Sequence, residues 1–364
     1  MASRAKVDKT FLIVTILLVV FGFFIFSSAS LALLAKENSN YSSVAFSQTV
    51  LGLVCGSIAM YLSARTDYKI WKKFAFYILI LAIVLNILVL IPSIGFEHGG
   101  ARRWLSVLGV SFQPSELLKL GFIIYFAAWV SAVKDKIKTF SWGLAPFVVI
   151  LGICGGLLLK QPDHDTLLVL SATGIAMFVA AGARWKHILL LAIIGLMALS
   201  FKIYTTPYAM QRVNTFLNPA ADSLNTGWQT QQSLIAVGSG GLFGRGFGQS
   251  VQKFTYLPEP VGDSVFAVAA EELGFIGSIL LITLFVLFCT RGLKIASGGT
   301  NPFARLTVVG IVIMIVSQAF VNIGAMLGVV PLSGITLPFV SQGGTSLFFT
   351  LLEAGIVLSI SRKF

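Results

Sequence analysis

Charge is what this sequence lacks most. Asp, Glu, Lys and Arg make up 11% of its 364 residues, while 56% are hydrophobic. Soluble domains carry about 25% charge. So few polar groups could not cover a water-exposed surface, and a soluble globular fold is excluded. Cysteine and histidine are also scarce, with three of each. Cys55, Cys154 and Cys289 all lie in apolar runs and read as small buried hydrophobes, giving no disulfide framework. The scattered histidines give no His-rich metal site. Alternating segments of the roughly ten-residue kind that build an outer-membrane barrel are missing too. No internal repeat is defensible.

What is present is a series of long apolar runs, near 11–34, 44–64, 74–94, 115–133, 142–160, 165–182, 187–205, 264–290, 304–330 and 344–361. About 20 apolar residues cross a bilayer, and a spanning chain must satisfy its backbone internally. The expected fold is all-α: a polytopic membrane protein with ten transmembrane helices, forming one domain over 1–364. The first run is longer than the apolar core of a signal peptide and has no clear cleavage site, so it reads as a retained first span.

The net charge of +12 invites a nucleic-acid reading. The placement of the basic residues removes it. Seventeen of the 26 Lys and Arg fall in segments on one side of the predicted spans, from Arg4, Lys6 and Lys9 through Arg65, Lys134, Arg184 and Arg291 to Arg362 and Lys363. Positive loops stay in the cytoplasm. Both termini are therefore expected inside a bacterial cytoplasmic membrane, with membrane lipids and not nucleic acid as partners. The opposite side holds a loop at about 95–114, a long one at about 206–263, and one near 331–343 rich in Pro and Gly. Function is expected on these outer loops.

Ionisable residues at span ends are the candidates for chemistry. Glu116 and Lys119 share one helix face at i, i+3, after a Pro114 suited to a first turn. They read either as an interfacial ion pair or as cavity residues. Asp163 sits in a hairpin as a helix cap or a cavity polar group. A metal held by Asp163, His164 and Asp165 is disfavoured, because consecutive side chains diverge. Arg102, Arg103 and Arg212 are basic on the outer side, against the inside rule. They suit an anionic substrate such as a diphosphate, or lipid headgroups. The Gly-rich run 238–248 resembles a phosphate cradle but lacks the strand before it and the Gly-Lys-Ser/Thr ending, so a flexible or re-entrant loop is the stronger reading. Asp263, where the long loop meets the bilayer, reads as a desolvated general base or as a helix cap. Of Glu271 and Glu272, at least one should face the bundle interior.

Seven segments then carry a resemblance: Gly-Ala-Arg-Arg-Trp at 100–104, Gln-Pro-Ser-Glu-Leu-Leu-Lys at 113–119, Gln-Pro-Asp at 161–163, Arg-Val-Asn-Thr-Phe-Leu-Asn-Pro at 212–219, the Gln-Gln-Ser-Leu-Ile-Ala-Val-Gly run from 231, Leu257-Pro-Glu through Asp263 to Glu271-Glu-Leu-Gly274, and Pro331 through Ser346. In order and nearly end to end, they resemble the SEDS family of cell-wall polymerases, which includes FtsW and RodA, and lean toward FtsW. The resemblance implies a peptidoglycan glycosyltransferase that polymerises lipid II outside the membrane. It makes Asp263 the general base and Arg103, Glu116, Lys119, Arg212 and Ser341 substrate-binding, with Asp163, Gln232 and Glu271 as structural or cavity polar residues. It implies a class B penicillin-binding protein and other division proteins as partners. No cofactor is required, with a divalent cation, Mg or Mn, left open. A lipid II flippase and a RodA-type elongation polymerase are the alternatives. Departures from the family pattern are Gln342 for the usual Tyr, Asp165 for the hairpin Gly, Ser111 for a basic residue, and Val261-Gly262 for His-Thr.

Overall fold

The computed structural model describes residues 7–35, 41–98, 101–107, 110–205, 207–218, 226–299 and 301–363. Arg4 and Lys6 of the basic set, Gly100 of the first motif and Gly99 beside it, and Pro219 of the fourth lie outside the described residues.

Every expected apolar run is helical. The helices are α1 Lys9–Leu34, α2 Tyr41–Arg65, α3 Tyr68–Val89, α4 Pro114–Val133, α5 Phe140–Lys160, α6 His164–Ala180, α7 Trp185–Thr205, α8 Pro207–Leu217, α9 Thr226–Ser239, α10 Val265–Gly298, α11 Pro302–Met326 and α12 Gly344–Ser361. Among the described residues, eight helices are long and apolar enough to cross a membrane, and α6 and the Trp185–Ala198 stretch of α7 are shorter apolar helices. The 17 residues of α6 stand at the lower end of crossing length. Helix starts follow local chemistry. Asp8 accepts from Phe11 N at 2.8 Å, Asp67 from Lys69 N at 3.0 Å, and Asn301 from Phe303 N at 3.0 Å, each satisfying an otherwise orphaned amide. Pro114 and Pro302 open their helices, where a missing N–H costs nothing.

The loop at about 95–114 is more ordered than expected for an all-α chain. It forms a three-stranded antiparallel sheet of β1 Gly95–His98, β2 Ala101–Val107 and β3 Val110–Phe112, in that order. Phe96 pairs with Trp104 and Ser106 with Ser111. β1 and β3 are four and three residues long, and the seven of β2, Ala-Arg-Arg-Trp-Leu-Ser-Val, do not alternate polar with apolar, so no period-two pattern stands out.

The core lies along α4, α11 and α12, which are apolar on nearly every side and mostly buried. Such all-round apolarity marks a helix surrounded by other helices. α12 packs closely on α2, where a Cβ at Gly355 would collide with Met60 and Ser63. Small residues allow such approach between membrane helices. The outermost helices show the reverse. Phe76, Tyr77, Leu81 and Ile87 of α3 are all exposed, forming an apolar belt suited to lipid.

The two ends of the bundle differ. At one, Asp8 pairs with Arg291 at 2.7 Å, Lys363 with Asp67 at 2.6 Å, and Arg362 donates to Ala64 O at 3.2 Å. Burial pushes the Asp8 carboxyl up, but hydrogen bonding and charge from Arg291 outweigh it and leave it lowered. The Asp8 amide donates to Ser361 Oγ at 3.0 Å, so the start of α1 and the end of α12 meet on this basic face. At the other end, the sheet, the α5–α6 hairpin, the described parts of 207–264 and the 327–343 loop converge. This is the loop face.

Candidate active site

The loop face is assembled around the segment before α10. Here the cap of α10 is Ser264, without a side-chain cap bond, so the helix-cap reading of Asp263 does not hold. Asp263 instead stands in the wall of a cavity of about 250 Å³, with Arg212 and Thr215 of α8, Gln229 and Thr230 of α9, and Leu327, Gly328, Ser333 and Gly334 of the last loop. Arg212 and Asp263 are the charged residues of that lining, and Leu234, Leu327, Val330 and Leu332 supply apolar walls. A cavity with one cation, one carboxylate and a greasy side can hold a ligand that is part anion, part hydroxyl and part lipid.

Burial pushes the Asp263 carboxyl up to about 7. Glu259 and Asp165 push it the same way, while Arg212 and Arg103 pull it back. A carboxylate titrating near neutrality is suited to taking a proton from a hydroxyl. Its backbone is fixed from three sides. Asn322 of α11 donates to Asp263 O at 2.8 Å and to Ile335 O at 2.7 Å. Ser341 donates to Gly262 O at 2.7 Å and accepts from Leu337 N at 2.7 Å. Gln342 N donates to Val261 O at 2.7 Å. Glu259 and Phe339, with φ of 44° and 67°, hold left-handed backbone that costs energy in residues with a Cβ. Both stand in the two loops that meet at Asp263.

The structure divides the remaining candidates. Arg103 of β2 points at the α5–α6 hairpin. It donates to Gln161 O at 3.2 Å and to Pro162 O, and lies 3.9 Å from Asp163. Asp163 also accepts from Thr166 N at 3.4 Å as the cap of α6. Arg102 pairs with Glu97 at 2.9 Å on the surface. Glu116 and Lys119 form a buried pair at 2.9 Å, extended to Gln318 at 3.0 Å and from Gln318 to Thr336 O at 3.0 Å. Gln232 is buried on α9. None of Arg103, Glu116, Lys119, Gln232 and Ser341 is among the residues lining the Asp263 cavity. Arg212 is.

Glu271 and Glu272 both turn inward and share one task. Glu271 accepts from Ser250 Oγ at 2.5 Å and Val251 N at 3.1 Å. Glu272 accepts from Gly248 N at 3.1 Å and pairs with the fully buried Lys253 at 2.6 Å. The Gly-rich run folds onto them. Gly274 breaks α10 with φ +67°. Around the break, Arg245 N and Gly246 N donate to Glu271 O and Glu272 O, and Phe275 N and Ile276 N donate to Gly241 O and Leu242 O. The run therefore satisfies the backbone of a broken helix and is not an open phosphate cradle.

Sequence reasoning passed over Asn322, Glu259 and the side-chain role of Asp165. A polar Asn322 inside an apolar span was the available signal. Among the described residues no group of three or more His, Cys, Asp or Glu is placed to hold a metal ion.

Residues 8–364 match the FtsW/RodA/SpoVE family, described as cell cycle protein. This chain is a member of that family. It is 40% identical to stage V sporulation protein E of Bacillus subtilis, over 99% of this chain and 98% of the relative. To the Probable peptidoglycan glycosyltransferase FtsW of Geobacter metallireducens it is 37% identical, over 98% and 95%. Among solved structures, a chain of a peptidoglycan synthase complex superposes with a TM-score of 0.81 at 29% identity, over 98% of both chains. The rod shape determining protein RodA of Thermus thermophilus gives 0.71 at 28%, over 98% and 97%. As a family member the chain is a multi-pass membrane protein.

Proposed function

We propose that this FtsW/RodA/SpoVE-family chain is a peptidoglycan glycosyltransferase that polymerises lipid II, in a division-type role, with Asp263 as its general base. The observation that carries the proposal is the pairing of Asp263, raised to about 7, with Arg212 in one partly apolar cavity. The 4-hydroxyl of an incoming lipid II attacks C1 of the growing chain's terminal sugar. Asp263 takes the hydroxyl proton as the new β-1,4 bond forms. The C1–oxygen bond breaks, and undecaprenyl diphosphate leaves with the electron pair. Negative charge grows on the departing diphosphate, and a fixed cation there lowers the barrier. Arg212 is placed for that work. Arg103, Glu116, Lys119 and Ser341, each engaged within the protein, act by holding the loop face in shape.

The basic face is assigned to the cytoplasm by the positive-inside rule, with both termini there. The cavity then opens on the outer face, where flipped lipid II arrives. A class B penicillin-binding protein is the proposed partner, supported by the likeness to a chain of a peptidoglycan synthase complex. Any divalent cation, Mg or Mn, would come as the counter-ion of the diphosphate. A tenfold or greater loss on chelation would establish it, and no loss would rule it out.

The test is glycan polymer from lipid II made by the purified chain with its penicillin-binding partner, beside Asp263→Ala. Equal polymer from the variant would sink the base assignment. One observation favours a second reading, a lipid II transporter: Glu116, Lys119 and Glu353 are ionisable, buried and inside spanning helices, as in transport pathways. Lipid II scrambling in vesicles without polymer would support it.

A further inference from the structure

Four places depart from the family pattern, and the structure treats one of them differently. Ser111, Val261 and Gln342 enter the site through their backbones: Ser111 O accepts from Thr345 Oγ1 at 2.9 Å, and Gln342 N donates to Val261 O at 2.7 Å. Gly262 likewise bonds through its backbone, its carbonyl accepting from Ser341 and its N–H donating to Glu259 O at 3.1 Å. Asp165 works through its side chain. One carboxylate oxygen accepts from Arg212 Nη1 at 3.3 Å and from Gly334 N at 3.0 Å. A Cβ built on Gly334 would lie 3.7 Å from an Asp263 carboxylate oxygen and 3.9 Å from that of Asp165. The two carboxylates therefore flank one glycine.

We infer that Asp165 is a positioning residue for glycosyl transfer: its carboxylate fastens Arg212 of α8 and the 331–334 backbone into the wall of the Asp263 cavity. The inference rests on the reading of Asp263 as the base. That one oxygen joins three elements: the first turn of α6, the amphipathic α8 and the last loop. A guanidinium held on a fixed carboxylate is preorganised toward an incoming diphosphate, so it does not reorganise when charge develops. A glycine at position 165 could supply neither bond. The groups that face Asp263 are Asp165 from α6, Glu259 from its own loop, Arg212 from α8 and Arg103 from β2. Asp165 is thus a second influence on the base, through its charge.

The experiment uses the full chain with its penicillin-binding partner and lipid II, comparing Asp165→Asn, Asp165→Glu and Asp165→Gly. Asn keeps an acceptor oxygen and loses the charge. Gly loses both. The expected result is a kcat lowered about tenfold or more in Asp165→Gly, with a smaller loss in Asp165→Asn. In Asp165→Asn the acid limb of the rate profile moves down by about half a pH unit or more, because a like charge beside the base is gone. Asp165→Glu keeps the limb where it is. A native kcat with a native limb in Asp165→Asn and Asp165→Gly overturns the inference. So does an equal loss in Asn and Glu variants with an unmoved limb and a lowered melting temperature, which marks a merely structural residue. Asp263→Ala is run alongside. Polymer from that variant sinks the base reading itself, whereas an inactive Asp263→Ala beside a native-like Asp165→Asn sinks only the present inference.

Discussion

The side-chain amide of Asn322 holds the backbone of Asp263: Nδ2 donates to Asp263 O at 2.8 Å and, in the same grip, to Ile335 O at 2.7 Å. Asn322 is fully buried in α11, among the most enclosed helices of the bundle. One apolar span thus anchors both loops of the site. Replacing Asn322 with Leu leaves two carbonyls without this donor, at about 1–3 kcal/mol for each buried group left unpaired. Asn322→Leu is expected to lower the melting temperature in detergent and to reduce polymerisation about tenfold or more, because a base displaced by a fraction of an ångström loses its alignment. A variant with native kcat would show that Asp263 keeps its place without Asn322.

The raised carboxyl of Asp263 gives two linked expectations. As a base it works deprotonated, so the rate should rise with pH through about 7. Stability should run the other way. The folded chain binds this proton more tightly than the unfolded one, so the contribution to stability is full below the usual aspartate range and is lost as pH rises through about 7. Asp263→Asn removes the penalty of a buried charge. It should make no polymer, yet melt above the native chain at pH 8, with the gap closing as pH falls toward 4. Thermal melts of both proteins across that range decide it, and a variant less stable at pH 8 would contradict the assigned desolvation.

Much of this arrangement can be read from residues in order. Ten apolar runs mark the helices, Pro114 and Asp163 mark two helix starts, and the Lys and Arg distribution separates the two faces. What cannot be read is set by contacts across the chain. Whether Asp263 caps α10 or faces a cavity depends on where Asn322 and Ser341 hold its backbone. That Lys119 shares its ammonium with Gln318, about 200 residues away, is likewise set by a contact across the chain. The sheet within 95–112 escapes because β1 and β3 are short and β2 does not alternate polar with apolar, and its role in aiming Arg103 at Pro162 is a tertiary fact.

The Gly-rich run tests the same point by mutation. Gly244 has φ +80°, and a Cβ there would enter the carbonyl of Glu272. Gly274 has φ +67° and faces Gly244 N and Leu242 O. Gly238 stands on α9 with nothing within 4 Å of its Cβ position. Gly244→Ala and Gly274→Ala should therefore cost folded protein, seen as lost monodispersity after extraction. Gly238→Ala should be neutral or more stable by up to about 1 kcal/mol, the helix preference for Ala over Gly. A phosphate cradle would behave otherwise: Gly244→Ala would fold well and show a raised KM for lipid II.

The buried chain from Glu116 through Lys119 to Gln318 separates holding from binding. Removing one member of a buried pair strands the other charge, at about 3–5 kcal/mol, whereas replacing both by groups of similar shape is often neutral. Lys119→Met and Glu116→Gln should each lower the melting temperature sharply, with Lys119→Met worse because it also orphans Gln318 Oε1. The double variant should recover most of the stability, a coupling that a double-mutant cycle measures directly. Because Lys119 is not in the wall of the Asp263 cavity, polymerisation should return with the fold in the double variant. A double variant that melts like the native chain and makes no glycan would instead assign Lys119 to the substrate, and would require the cavity to extend inward past Thr336 when lipid II is bound.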